Sequence, residues 1–195
     1  MRFLKLWVTS YFSPARAVAA LKDKPAPQWG LYGVLIRCLL VSLCWYLPAH
    51  LLGRVPSSPP PSLRALPAED YYLAMVFIFP LFTLAIWLLD GALAHVLLRL
   101  IGRESSIYQI LNIDGMGNLI IGLPIVAWDW FALALGWDSA TVIWGLMHLL
   151  IDLWYIVFVI MGLKRILRLP LWLAATIIVL WYAYSVPLSM PFIIP

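Results

Sequence analysis

Five apolar stretches, each of about twenty residues and each almost free of charge, constrain this chain more than anything else in it. That length matches a helix crossing a hydrocarbon layer roughly 30 Å thick. The stretches run over about 30–52, 71–97, 113–135, 141–163 and 169–194. Only 11% of the residues are charged, against 64% hydrophobic. A water-soluble domain needs about a quarter of its residues charged, so the expected fold is all-α, a polytopic membrane bundle of five transmembrane helices. Between the first two stretches lies a proline- and serine-rich connector, 53–70, with little capacity for regular structure.

Lysine and arginine alternate by side. Arg2, Lys5, Arg16, Lys22, Lys24, Arg99, Arg103, Lys164, Arg165 and Arg168 share the side of the N-terminus, whereas only Arg54 and Arg64 fall on the other. Ten against two predicts a cytoplasmic N-terminus and an external C-terminus; the membrane itself is expected to be a bacterial inner one. The bias fits an odd number of spans. No basic run is interleaved with aromatics in a polar segment, so nucleic acid is not an expected partner. Cys38 and Cys44 both lie in the first apolar stretch and read as packing residues. The opening MRFLKLWVTSYFS lacks the uniform apolar core of a signal peptide.

Residues 1–29 read as an interfacial amphipathic segment. Phe3, Leu4, Trp7, Val8, Tyr11 and Phe12 can line one side of a helix bordered by Arg2 and Lys5. Ser13-Pro14 then starts a second helix, and Lys24-Pro25-Ala26-Pro27 ends it. Further on, Ser106 with Gln109 three residues later has the form of a capping box.

Ionisable residues inside spans cost about 2.5–3.5 kcal/mol each on insertion scales, so each is a candidate site. Counting from the span ends puts Arg37 and Asp90 at one depth, which predicts an intramembrane polar pair. Asp129, His148 and Asp152 form a second expected cluster, since His148 and Asp152 share a helix face at a spacing of four. Such a cluster serves either as an interhelical clamp or as a proton relay. Because the inner and outer pairs look separated along the membrane normal, the clamp is the expected role. No HExxH, paired-cysteine, GxSxG or glycine-rich phosphate motif is present, so neither metal, cofactor nor catalysis is expected.

Two stretches resemble the Yip-domain family of multi-pass proteins named for interaction with Ypt/Rab GTPases. They are SPARAVAALKDKPAPQWG before the first span and GRESSIYQILNIDGMGNLIIGLP leading into the third. The matching positions are Gly102, Ser106, Tyr108, Gln109, Leu111 and Pro124. The chain departs from eukaryotic members in its short N-terminal segment and in Asp114-Gly115-Met116-Gly117, where they carry a glycine-tyrosine pair. The resemblance implies a non-catalytic membrane scaffold or accessory protein, partnered by lipid, other membrane proteins or itself. A small transporter or proton-conducting subunit using Asp90, Asp129, His148 and Asp152 is the alternative expectation. An accessory subunit of a larger membrane complex is a further one.

Overall fold

The computed structural model describes residues 3–24, 26–56, 63, 66–136 and 142–193, with backbone alone for 190–193. Arg2, Arg64, most of the proline-rich connector and the 137–141 loop lie outside the described residues. Every regular element among the described residues is helical: α1 (Phe3–Phe12), α2 (Pro14–Lys22), α3 (Gln28–Val41), a π-helical turn (Ser42–Tyr46), α4 (Leu47–Leu51), a 3-10 turn (Ala68–Asp70), α5 (Tyr71–Leu100), α6 (Ile107–Ala134), α7 (Val142–Ile166) and α8 (Leu171–Ile193). With α3, the π turn and α4 continuous as one span, five helices are long and apolar enough to cross a membrane. The protein is an all-α, polytopic integral membrane bundle.

Helix α6 is its axis. In the most apolar window of α6, 78% of residues are buried, against 22–39% in the other four spans. Close approach to α3 requires glycine. A Cβ on Gly30 would overlap the Leu111 carbonyl, and one on Gly115 would overlap the backbone of Gly30. Such small-residue crossings bring helix backbones together where lipid supplies no hydrophobic drive. On the opposite flank of α6, Gly117 receives Tyr155 and Val159, and Gly162 receives Ile113, which fixes the register of α7.

Prolines inside the spans leave carbonyls without their usual partner four residues on, and at two of them a remote side chain takes the carbonyl up. Pro48 frees the Cys44 carbonyl beside the π turn, and Trp130 Nε1 donates to it at 2.6 Å. Pro124 frees the Ile120 carbonyl, which accepts from Tyr11 Oη at 2.9 Å. Tyr11 therefore reaches a point about 20 Å along α6 from its first residue. Helices α1 and α2 form a hairpin docked on α6 and α7, with Leu6, Ser10, Ala17, Val18 and Leu21 buried. The apolar side expected of α1 is divided. Phe3, Trp7 and Tyr11 pack on the bundle, whereas Leu4, Val8 and Phe12 stay exposed. Ser13 sits at the N-cap of α2, but its hydroxyl caps nothing.

Lys22, Arg99, Arg103, Lys164, Arg165 and Arg168 gather where α5 ends, α6 begins and α7 ends. There Gln109 Nε2 donates to the Lys22 carbonyl and Arg165 Nη1 to the Ala15 carbonyl. This is the basic end of the bundle. Beneath it lies an apolar seal including Val18, Leu21, Leu98, Ile110, Ile113 and Leu163.

Candidate functional site: a polar core between two cavities

Helix α6 begins at Ile107, six residues before the apolar stretch, so Asn112, Asp114 and Asn118 lie within it, each at most 9% exposed. Asn112 acts as a cap from a distance. Its Oδ1 accepts from the Gly30 amide at 2.7 Å and its Nδ2 donates to the Ala26 carbonyl at 2.6 Å. The Gly30 amide is one of the donors that the start of α3 leaves without a helical partner. Asp114 is fully buried, and its Oδ1 accepts from Tyr155 Oη at 2.7 Å and Asn118 Nδ2 at 2.9 Å. Asn118 Oδ1 in turn accepts from Arg37 Nη1. Arg37, Asn118, Asp114 and Tyr155 thus form one chain of hydrogen bonds across α3, α6 and α7.

Arg37 and Asp90 do not pair. Arg37 packs on Gly122, whereas Gly91 packs on Leu111, eleven residues earlier on α6 and about 16 Å away along its axis. Equal counting from the span ends misleads because α5 overhangs the start of α3 at the basic end by roughly two turns. Asp90 instead accepts from Tyr184 Oη of α8.

The structure brings Asp129 and His148 together, with Nε2 at 3.1 Å from Oδ1, an ion-pair distance without hydrogen-bond alignment. The other ring nitrogen of His148 lies 3.0 Å from the Trp144 carbonyl. Asp152, one turn further along α7, has no hydrogen bond from any described residue and is half-buried.

Two cavities connect these groups. One, of about 260 Å³, runs from Pro56, Tyr71 and Tyr72 past Asp129 and His148 to Arg37 and Asp152. The other, of about 270 Å³, continues from Arg37 and Asp152 past Thr83 and Asn118 to Asp90. Arg37, Phe79 and Asp152 line both. Measured along α5, Tyr71 to Asp90 covers about 28 Å, most of a hydrocarbon core. The polar groups therefore occupy successive depths, not the two separated levels expected from residue counting.

The family-like residues fall at helix ends and joints. Gly102 adopts φ +74° after α5, with its amide donating to the Arg99 carbonyl and that of Arg103 to Leu98. Ser106 Oγ accepts from the Gln109 amide at 3.4 Å, but the Gln109 side chain turns to α2. The Leu111 carbonyl accepts from Trp87 Nε1 at 2.9 Å, and Tyr108 is 52% exposed. Among the described residues, no group of three or more His, Cys, Asp or Glu side chains is arranged to hold a metal ion. No family model, curated protein or solved structure matches the chain.

Proposed function

We propose that the protein is a non-catalytic membrane protein that admits a small charged solute into its polar core, the working part of a small transporter. The observation that carries this reading is the junction of the two cavities. Asp152 stands there in a membrane span with no protein donor, beside Arg37, and a charged group at that depth is retained for what it meets. Beyond Asp90 the apolar seal at the basic end closes the route, so the geometry is that of a vestibule entered from the opposite end. With the basic rim in the cytoplasm, as the charge bias favours, the vestibule faces outward across a bacterial inner membrane.

Single cysteines in a background lacking Cys38 and Cys44 test it. Externally added, membrane-impermeant thiol reagent is expected to modify Tyr72→Cys and Thr83→Cys but not Ala94→Cys. If Thr83→Cys stays unreactive from both faces while Tyr72→Cys reacts, the core is sealed and the transport reading fails.

A membrane scaffold of the Yip-domain type is the second reading. Its support is that Gly102, Ser106, Gln109 and Pro124 are all spent on helix ends and on docking the hairpin, while Leu4, Val8 and Phe12 remain uncovered. Isolation in gentle detergent checks it: a chain that always runs alone argues against a scaffold.

A further inference from the structure

We infer that the inner of the two cavities is a binding site for a compact organic ammonium group, choline-like in size and charge. This rests on the reading of the core as open to solute, and it adds the class of occupant. The walls carry Phe82, Trp87, Trp181 and Tyr182, and the acids are Asp90 and Asp152. Aromatic faces attract a desolvated cation through the ring quadrupole, tryptophan most strongly, and aromatic cages are the recurrent answer to quaternary ammonium ligands.

Charge points the same way. Two carboxyl groups and one guanidinium line the cavity, so a cation held between the acids favours their charged forms. Asp152 has no protein donor, and Asp90 gives only one oxygen to Tyr184. An ammonium whose hydrogens are replaced by methyl groups needs no hydrogen-bond acceptors, only nearby negative charge and rings. Trp181 supplies a separate indication. It is 2% exposed, lines the cavity, and its indole N–H has no partner. An acceptor oxygen on the ligand, such as the hydroxyl of choline, would answer it. At about 270 Å³ the cavity sits at the lower end of small-molecule sites, which span about 300–1,000 Å³, so a compact ion fits and a bulky one does not.

The same group occurs as a free solute and as a lipid headgroup, and the test separates them. The full chain is placed in nanodiscs of phosphatidylglycerol, which carries no ammonium, and binding of radiolabelled choline is measured. Saturable binding is expected, with no competition from choline's uncharged tert-butyl isostere. Asp152→Asn keeps the size of a side chain that takes no hydrogen bond from any described residue, so it is expected to stay within a few degrees of the wild-type thermal midpoint while weakening binding by about tenfold or more. Tyr182→Leu is expected to weaken binding, and Tyr182→Phe to retain it. Loss of choline binding on adding phosphatidylcholine to the discs assigns the site to a headgroup; unchanged binding assigns it to free solute. Equal competition by the uncharged isostere, or unaltered binding in a folded Asp152→Asn, overturns the proposal. If Thr83→Cys reacts with thiol reagent but choline does not bind, this inference falls and the transport reading stands. If Thr83→Cys is sealed from both faces, that reading falls first.

Discussion

Tyr11 donates its hydroxyl to the Ile120 carbonyl, which is available only because Pro124 supplies no amide to it. Burial pushes the Tyr11 phenol up, against the opposing effect of the Trp7 hydrogen bond, so the hydroxyl stays protonated and donating well above neutral pH. Tyr11→Phe is therefore expected to cost about 1 kcal/mol in detergent-solubilised protein. Pro124→Ala gives the Ile120 carbonyl a partner within its own helix. In that background the cost of Tyr11→Phe should largely vanish. A double-mutant cycle on denaturation midpoints reads the coupling, and strict additivity would show that the two residues act independently.

The α3–α6 crossing gives a contrast between two glycines. Gly115→Leu drives a side chain into the Gly30 backbone and is expected to prevent a stable bundle, since overpacking against backbone has no cheap relief. Gly145 has open space around it, so Gly145→Ala is expected to be neutral or to stabilise by up to about 1 kcal/mol. Yield of monodisperse protein and thermal midpoint report both. A well-folded Gly115→Leu would mean that the crossing is looser than described.

Asn112 holds two backbone groups of another segment. Asn112→Ala strands both, at about 1–3 kcal/mol each. Asn112→Asp keeps the acceptor for the Gly30 amide but loses the donor to Ala26, so its loss should be intermediate. Proteolysis of the α2–α3 connection is a direct readout, with cleavage fastest in the alanine variant.

Arg168 adopts φ 54° just past α7, a left-handed conformation that costs a residue with a Cβ about 1–2 kcal/mol. Arg168→Gly is expected to stabilise by up to about that amount, read as a higher denaturation midpoint, and Arg168→Ala is not. Equal midpoints for the two variants would count against backbone strain at this position.

The spans themselves were legible because lipid-facing helices must be apolar, and hydropathy measures that requirement. It fails for α6, whose first eight residues include Gln109, Asn112 and Asp114. Those residues look like a polar edge only if lipid surrounds the helix. Protein surrounds it, so Asp114 Oδ1 and the Asn118 amide are engaged by Tyr155, Arg37 and each other. The one available signal was the spacing of four between Asp114 and Asn118, which places both on one helix face. The cavities were not legible at all. They depend on how far α5 slides past α3, and the Gly91–Leu111 and Gly30–Asn112 contacts set that offset with no trace in either helix alone.

The burial of α6 also bears on how such a chain is made. Its Asn112, Asp114 and Asn118 would be poorly tolerated by acyl chains, so α6 is a weak candidate to enter the bilayer unaided. Arg37 and Gly30 on α3, and Trp87 on α5, are synthesised first and wait as its polar reception. Tyr155 of α7 emerges only afterwards. During biosynthesis, then, the earlier spans act as a built-in chaperone for the central one.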